Sequence, residues 1–195
     1  SDFICARLTE MGIPFVSGLG GTGVVATLEV KGYGPTIGLR ADIDALPIQE
    51  ETNLPYRSQH PGRSHACGHD GHTAMLLAAA EYLAKSRAFK GRVRFIFQPA
   101  EEAEGGARKM IEEGLFRDFA VDAVFGLHNW PGLPKGRLAV KPGAVMASMD
   151  LFVITIRGNG VHAAMPHLGS DVIVAAGAII SSVQSIVSRS IEARE

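Results

Sequence analysis

The sequence has 195 residues, of which 46% are hydrophobic and 20% are charged, and its formal net charge is −1 at pH 7. This composition excludes a disordered chain, and the lack of a basic excess argues against a nucleic-acid partner. The two cysteines, Cys5 and Cys67, exclude a disulfide framework and favour a reducing compartment. We therefore expect a globular, cytoplasmic protein.

Helices and strands are predicted to alternate over the first part of the chain. Apolar residues at helical spacing predict a helix at the start that ends at Gly12, and the stretch DGHTAMLLAAAEYLA predicts a long helix over residues 70–84. Strands are predicted at residues 24–30, 36–40, 93–97 and 123–127, with a short helix at 105–113. Because VRFIF and AVFGL are mostly apolar, they favour an α/β layer with strands buried on both faces.

The character of the sequence changes after Pro142. Residues 150–157 alternate in polarity and predict a strand, and residues 171–190 predict a long helix with Asp171 as its N-cap. Because no return strand follows, this segment is typical of the beginning of a second α+β domain. We expect one domain over residues 1–146 and the beginning of another over 147–195. The apolar stretch 171–186 is interpreted as too short and too serine-rich to span a bilayer, so no membrane partner is expected.

Polar clusters follow three of the predicted strands directly. RADIDALP follows TIGLR, QPAEE follows VRFIF, and HNWPG follows AVFGL. Open α/β sheets place their sites at the carboxyl ends of the strands. We therefore expect these clusters to lie at one edge of the sheet.

The stretch SHACGHDGHT is the first candidate site. Cys67 and His69 are two residues apart, so in an extended segment both side chains project to the same side. Thiolate and imidazole suit zinc, manganese, iron or cobalt better than magnesium or calcium, although a polar loop that contains histidine by chance explains the pattern equally well. His65 and His72 are weaker candidates, since His72 lies on the predicted helix and suits packing or support of a ligand. Asp70 suits a cap at the helix N-terminus.

The carboxylates form a second candidate constellation. Since the adjacent side chains of Glu101 and Glu102 diverge, one can bind a metal while the other faces the water that the metal activates. A solvated acidic loop is the alternative. His128 would share the same sheet edge. Asp42 and Asp44 can either orient a ligand histidine or cap their own loop, and the sequence does not separate these roles.

The loop GNGVHAAMPHLG contains His162 and His167 between glycines. A histidine on such a loop can donate a proton to a developing oxyanion, although a surface histidine is the simpler interpretation. A nucleophile elbow of the G-x-S-x-G type does not occur, and GLGGTG lacks the Lys-Ser/Thr of a phosphate-binding loop. GLGGTG is therefore predicted to be a turn that leads into the strand at Val24.

Five motifs in order carry a family resemblance. LRADIDALP, HACGHDGHTAML, QPAEE, GLHNWPGLPKG and GNGVHAAMPH resemble the metal-dependent amidohydrolases that include hippurate hydrolase, indole-acetyl-amino-acid hydrolase and aminoacylase-like N-acyl-amino-acid deacylases. The resemblance extends almost from end to end of the chain. It implies a mixed-sheet, three-layer α/β catalytic domain of the zinc-peptidase type, present in part, followed by the start of a ferredoxin-like α+β lid domain.

The resemblance also implies roles for single residues. The implied metal ligands are Cys67, His69, Glu102 and His128. Glu101 is the implied general base, and His162 is implied to bind the scissile carbonyl, often from the partner subunit of a dimer. The residues expected to orient this site are Asp42, Asp44 and Asp70. Two divalent ions of manganese, zinc or cobalt and a homodimer formed through the lid are implied as well.

The implied function is metal-dependent hydrolysis of the amide bond of an N-acyl amino acid, such as a hippurate-, N-acetyl- or auxin-conjugate-like substrate. A further metal-binding histidine of the family, located after the lid, has no counterpart here, so we expect a piece of a longer enzyme. Two alternatives remain open. One is a dipeptidase or carboxypeptidase with the same dinuclear centre, and the other is an incomplete fragment with only a binding or oligomerisation role.

Overall fold

The computed structural model describes residues 1–102, 105–146 and 150–191. The chain divides into two compact units, Ser1–Arg137 and Leu138–Glu195. The expected domains, 1–146 and 147–195, remain a prediction, and residues 147–149 at their boundary lie outside the described residues.

The first unit begins with a helix and three strands in succession and then alternates helices and strands, as predicted. Its helices are α1 (Asp2–Glu10), α2 (His69–Ser86), α3 (Gly106–Glu112) and α4 (Leu115–Asp118). Its strands are β1 (Phe15–Leu19), β2 (Gly23–Val30), β3 (Thr36–Asp42), β4 (Gly91–Gln98) and β5 (Ala123–Gly126). The elements expected from the sequence are confirmed to within a few residues, whereas β1 and α4 were not predicted. Glycine and serine interrupt the pattern of FVSGL, and four residues are too few to display a helical period.

The five strands form one mixed sheet in the order β1-β2-β4-β3-β5. Strands β1, β2 and β4 pair in antiparallel fashion, whereas β3 runs parallel to both β4 and β5. The register places Asp42 opposite Gln98 and Arg40 opposite Gly126. Because β3, β4 and β5 run parallel, their carboxyl ends lie at the same edge of the sheet.

Strand β4 is buried on both faces, as VRFIF predicted. The same prediction for AVFGL is wrong, because Val124 is 45% and Phe125 59% exposed in β5. Phe95 and Phe97 of β4 point into a core that includes side chains of α1 and α2. Ile96 points the opposite way and packs in a second cluster with Met110 of α3 and Leu115 of α4. Successive side chains of a strand alternate between faces, so β4 supplies both cores. The result is a three-layer arrangement of helices, sheet and helices, which confirms the mixed-sheet α/β prediction.

The second unit contains the helix α5 (Val172–Ser190) after a short 3-10 turn at Pro166–Leu168. The predicted cap is confirmed, because Asp171 Oδ1 accepts hydrogen bonds from the backbone N–H groups of Ile173 and Val174, both at 3.0 Å. Such a cap satisfies two N–H groups that otherwise have no partner within the helix.

The strand predicted at residues 150–157 is wrong for the described part of the second unit, where this segment has no strand assignment. Its apolar side chains remain exposed, with Leu151 at 93% and Val153 at 86%. A strand requires hydrogen bonds with a second strand. Residues 138–146 and 150–191, the described part of the second unit, contain no strand that could be this partner. The ferredoxin-like lid therefore stays a prediction.

Helix α5 is 19 residues long with a mean hydropathy of 1.6, which is long and apolar enough to cross a membrane by length and composition alone. The argument from the sequence that this stretch is too short is therefore wrong. A helix of the same length and composition also occurs in the core of water-soluble proteins, so length and composition assign no membrane role to it.

Candidate metal centre

Three polar segments converge at the edge where β3, β4 and β5 end. Asp42 and Asp44 lie at and just beyond the end of β3, and Glu101 and Glu102 follow β4. His128 follows β5 by two residues. This convergence follows from the parallel register, as the positions of the three clusters after their strands predicted.

The start of α2 adds Cys67 and His69 to this edge through a tight turn at Gly68. Gly68 has φ 86°, which is the left-handed region that favours glycine. A Cβ atom at this position would lie 2.2 Å from Nδ2 of Asn129. The glycine therefore permits both the turn and the close approach of the segment that follows β5.

Replacing Gly68 by alanine is expected to destabilise the protein by about 1–2 kcal/mol through the left-handed backbone alone, with a further cost from displacement of Asn129. Chemical denaturation measures the free energy of unfolding, and titration with a metal reports the geometry of the adjacent ligands. Gly71→Ala is the matched control. Gly71 has open space around it and lies inside α2, where alanine is favoured over glycine by about 0.5–1 kcal/mol. Equal effects of the two substitutions would contradict this role of Gly68.

His69 lies at the centre of the cluster and is only 1% exposed. Its Nδ1 is 3.2 Å from Oδ1 of Asp44, whereas its Nε2 is 3.7 Å from carboxylate oxygens of both Asp42 and Glu102. Those separations exceed hydrogen-bond length, and Nε2 has no hydrogen-bond partner in the described structure. A buried polar atom without a partner is costly. The Asp44 contact holds the proton on Nδ1, which leaves the lone pair of Nε2 free to bind a cation.

Asp44 also fixes the two glutamates. Its Oδ2 accepts hydrogen bonds from the backbone N–H groups of Glu101 and Glu102 at 3.0 and 3.2 Å. One carboxylate thus connects the histidine of α2 to the segment that follows β4. The alternative in which Asp44 merely caps its own loop does not describe these contacts.

The candidate ligands fall into overlapping groups around His69. One donor atom from each of Cys67, His69 and His128 lies within 4.8 Å of the others, and the same holds for His69, Glu101 and Glu102. The Cys67 Sγ and His128 Nε2 atoms are 3.4 Å apart. The structure thus brings together the four residues implied as ligands and the glutamate implied as the base.

The electrostatics of Cys67 suit a cation. Burial and then the hydrogen bond and charge of Glu102 raise the pKa of the Cys67 thiol to about 11. A thiolate among carboxylates is disfavoured unless a positive charge compensates it. A set of sulfur, imidazole nitrogen and carboxylate oxygen donors is typical of a transition metal such as zinc, manganese or cobalt. Together with the unpartnered Nε2 of His69, this donor set fits a divalent metal.

Asp42, the buried last residue of β3, supports the cluster. It is 1% exposed, and its carboxylate contacts His72 Nδ1 at 2.5 Å and accepts from the Arg40 guanidinium at 2.9 Å. Burial raises the pKa of Asp42, but the hydrogen bond with His72 and the charge of Arg40 outweigh it. The pKa therefore lies below its ordinary value of 3.8. The Arg40 side chain also donates to Gln98 Oε1 at 2.8 Å.

Sequence reasoning missed several supporting residues: Arg40, Gln98 and Asn129. A signal for the first two was available, because Arg40 and Gln98 are the first residues of the polar clusters RADIDALP and QPAEE. Asn129 directly follows a candidate ligand, but its contact with α2 depends on tertiary structure.

Asp70, a predicted site residue of the first unit, is not part of this cluster. Its exposed side chain lies in the first turn of α2 and accepts a hydrogen bond from the backbone N–H of Gly71 at 2.9 Å. The predicted cap is wrong, because Gly68 is the N-cap residue of α2 and no side chain makes a cap hydrogen bond there. His162 belongs to the second unit, where its Nδ1 accepts from the backbone N–H of Ala164 at 3.1 Å. Its role in the site stays a prediction.

A cavity of about 840 Å³ lies in the first unit and is lined by chain neighbours of the candidate site rather than by the candidate ligands themselves. Its wall includes Ala45 and Ala66, the chain neighbours of Asp44 and Cys67, together with Tyr56. A bridge between Leu46 and Ser64 closes the loop that forms this wall. The volume is in the range of small-molecule pockets.

The chain is similar to several curated hydrolases. It is 55% identical over 171 residues to the N-acetylcysteine deacetylase of Bacillus subtilis, covering 87% of this chain and 44% of that protein. It is 49% identical over 192 residues to the hippurate hydrolase of Campylobacter jejuni, covering 98% and 50% respectively. The chain thus spans about half the length of the curated relatives it matches.

Two solved structures are also similar to this chain. An aminohydrolase structure from methicillin-resistant Staphylococcus aureus matches with a TM-score of 0.78 at 36% identity, covering 98% of this chain and 51% of that one. A Bacillus subtilis structure described as a dinuclear metal-binding peptidase from the M20 family matches with a TM-score of 0.64 at 50% identity, covering 68% and 37%. Residues 38–193 match the sequence profile of Peptidase family M20/M25/M40. The resemblance inferred from the five motifs is therefore confirmed, and the chain belongs to Peptidase family M20/M25/M40.

Proposed function

We propose that the protein is a metal-dependent amidohydrolase that cleaves the amide bond of small N-acyl amino acids. One observation carries the proposal: the unpartnered Nε2 of His69 lies in a cluster that also contains Cys67, Glu102 and His128. The names of the relatives, an N-acetylcysteine deacetylase and a hippurate hydrolase, support the same substrate class. The adjoining cavity provides room for one substituent of such a molecule.

Cys67, His69, Glu102 and His128 are the residues that would hold the metal. A divalent metal bound there supplies Lewis-acid chemistry, since it lowers the pKa of water and polarises a carbonyl oxygen. Glu101 takes a proton from the attacking water as the water oxygen bonds to the acyl carbon. Glu101 then passes this proton to the amide nitrogen as the carbon–nitrogen bond breaks. Asp44 orients both glutamates through their backbone N–H groups.

His162 is proposed to bind the carbonyl oxygen of the substrate. Because its Nδ1 accepts a hydrogen bond from Ala164, its proton lies on Nε2, which makes Nε2 a donor for a developing oxyanion. We further propose two ions of manganese, zinc or cobalt, a cytoplasmic location, and a homodimer formed through a lid that begins at residue 147.

We expect the full-length protein to contain stoichiometric metal and to hydrolyse hippurate and N-acetylcysteine. A chelator is expected to abolish this activity, readdition of metal to restore it, and Cys67→Ala to lower the metal content. A simple dipeptide is expected to be cleaved about tenfold more slowly or worse, because its acyl group carries a charged amino group that hippurate and N-acetylcysteine lack. Faster cleavage of the dipeptide would favour a peptidase, and absence of both metal and hydrolysis would favour a binding role.

A further inference from the structure

His72 is buried one turn after His69 on α2 and has both ring nitrogens engaged. Its Nδ1 is 2.5 Å from Oδ1 of Asp42. Its Nε2 accepts a hydrogen bond from the backbone N–H of Asn129 at 3.0 Å. The side chain is 2% exposed, so these partners replace water completely.

The contacts occupy both nitrogens of this imidazole. The carboxylate of Asp42 can only accept, so a proton lies on Nδ1 and is directed at Asp42. The backbone N–H of Asn129 and the Oδ1 atom of its side chain, which lies 2.7 Å from Nε2, both face the other nitrogen. Neither nitrogen of His72 has a lone pair left for a metal. His72 is therefore not a ligand, although it lies close enough to Asp42 and His69 to form a group of metal-binding residue types.

The contact with Asn129 acts on the neighbouring His128. Strand β5 ends at Gly126, and the segment that carries His128 has exposed side chains, with Trp130 at 58%. Among the described contacts, His128 Nδ1 approaches only the carbonyl oxygen of its own neighbour, Asn129. The bond to His72 connects the backbone of this irregular segment to α2, the helix that carries the other imidazole ligand. The rings of His72 and His128 also meet edge to face, with centroids 4.6 Å apart.

We propose that His72 is a positioning residue that holds the His128 segment against α2, so that His128 and His69 reach one metal. Donation of the Nδ1 proton to Asp42 fixes the orientation of the His72 ring. The Nε2 atom on the other side of the ring then holds the backbone of Asn129 in place. The inference rests on the proposed ligand set. Supporting hydrogen bonds of this kind are commonly worth about 10- to 100-fold in metal affinity.

The test is a double-mutant cycle in cobalt affinity, measured by titration of the metal-free protein with Co²⁺ and competition with a chelator. His72→Leu is expected to weaken binding about 10- to 100-fold. In a His128→Ala background the same substitution is expected to change affinity by less than about threefold, because the residue through which it acts is gone. The exposed His65→Leu is the matched control and is expected to leave cobalt affinity unchanged.

A merely structural role would weaken binding by the same factor in both backgrounds, and that result or an unchanged affinity would overturn the proposal. If His72→Leu does not fold, His72→Gln and His72→Asn replace it. The glutamine reaches both partners and is expected to retain most of the affinity, whereas the shorter asparagine is expected to lose it, and equal affinities would contradict the inference. Loss of binding in His128→Ala but not in the His72 variants would refute the positioning role alone. Unchanged binding in His128→Ala would refute the ligand set.

Discussion

Replacing Glu101 by glutamine is expected to lower kcat for hippurate by about 10²- to 10⁴-fold, the usual contribution of a general base. The amide is similar in size and keeps the backbone N–H that donates to Asp44, so the fold and the metal content should not change. KM should change little, because the substitution removes proton transfer rather than binding. Steady-state kinetics together with metal analysis of the same preparation measure this result.

The neighbouring glutamate provides the discriminating comparison. Glu102→Gln removes the same charge one residue away, but Glu102 is the proposed ligand, so this variant is expected to lose metal as well as activity. Glu81→Gln, on the exposed face of α2, is expected to behave as the unchanged protein. The assignment would fail if Glu101→Gln kept its kcat, or if Glu102→Gln lost activity while it retained its metal.

Asp42→Asn is expected to produce the largest loss of stability among the residues that support the cluster. The carboxylate is buried and pairs with both Arg40 and His72. Removing one partner of a buried ion pair costs about 3–5 kcal/mol. We expect a loss of about 3 kcal/mol in the free energy of unfolding, because part of the Arg40 side chain reaches solvent. Urea denaturation of the metal-free protein measures the difference in the free energy of unfolding.

The pH dependence follows from the lowered pKa of Asp42. A carboxyl whose folded pKa lies below its unfolded value stabilises the protein fully above that unfolded value, which is near 3.8. This stabilisation is lost as the pH falls through the folded pKa. The difference between the protein and Asp42→Asn should therefore be constant above about pH 5 and shrink below it. Asp118→Asn, at an exposed pair with Arg117, should be nearly neutral, and a difference that did not depend on pH would contradict the role of the charge.

Much of the candidate site could be predicted because its residues follow the ends of predictable strands. The apolar runs of β3, β4 and β5 identified the strands, and the polar clusters directly after them identified the edge. The local sequence around Cys67 and His69 fits a metal site and a polar loop equally well, so it does not decide between them. The choice depends on which carboxylates approach the imidazole, and those come from positions 25 and 33 residues away along the chain.

Other features could not be predicted from local sequence patterns. The strand predicted at residues 150–157 has the right alternation, but pairing requires a second extended segment. The role of Asp44 could not be separated from a loop cap until its bonds to Glu101 and Glu102 were known. The sequence did not separate packing from support of a ligand as the role of His72, because its partners, Asp42 and Asn129, lie on other elements.

The sequence by itself determined the mixed α/β arrangement, the family and the residue types of the candidate centre, since apolar periodicity and five ordered motifs are properties of the chain alone. Only the tertiary structure decided how those residues act together. The parallel register of β3, β4 and β5 brings their ends to one edge, and the turn at Gly68 admits Asn129. The contacts of Asp44 and His72 then distinguish the imidazole with a free nitrogen from the one without. Hydrogen bonds between distant elements carry this information, because no local pattern encodes which donor meets which acceptor.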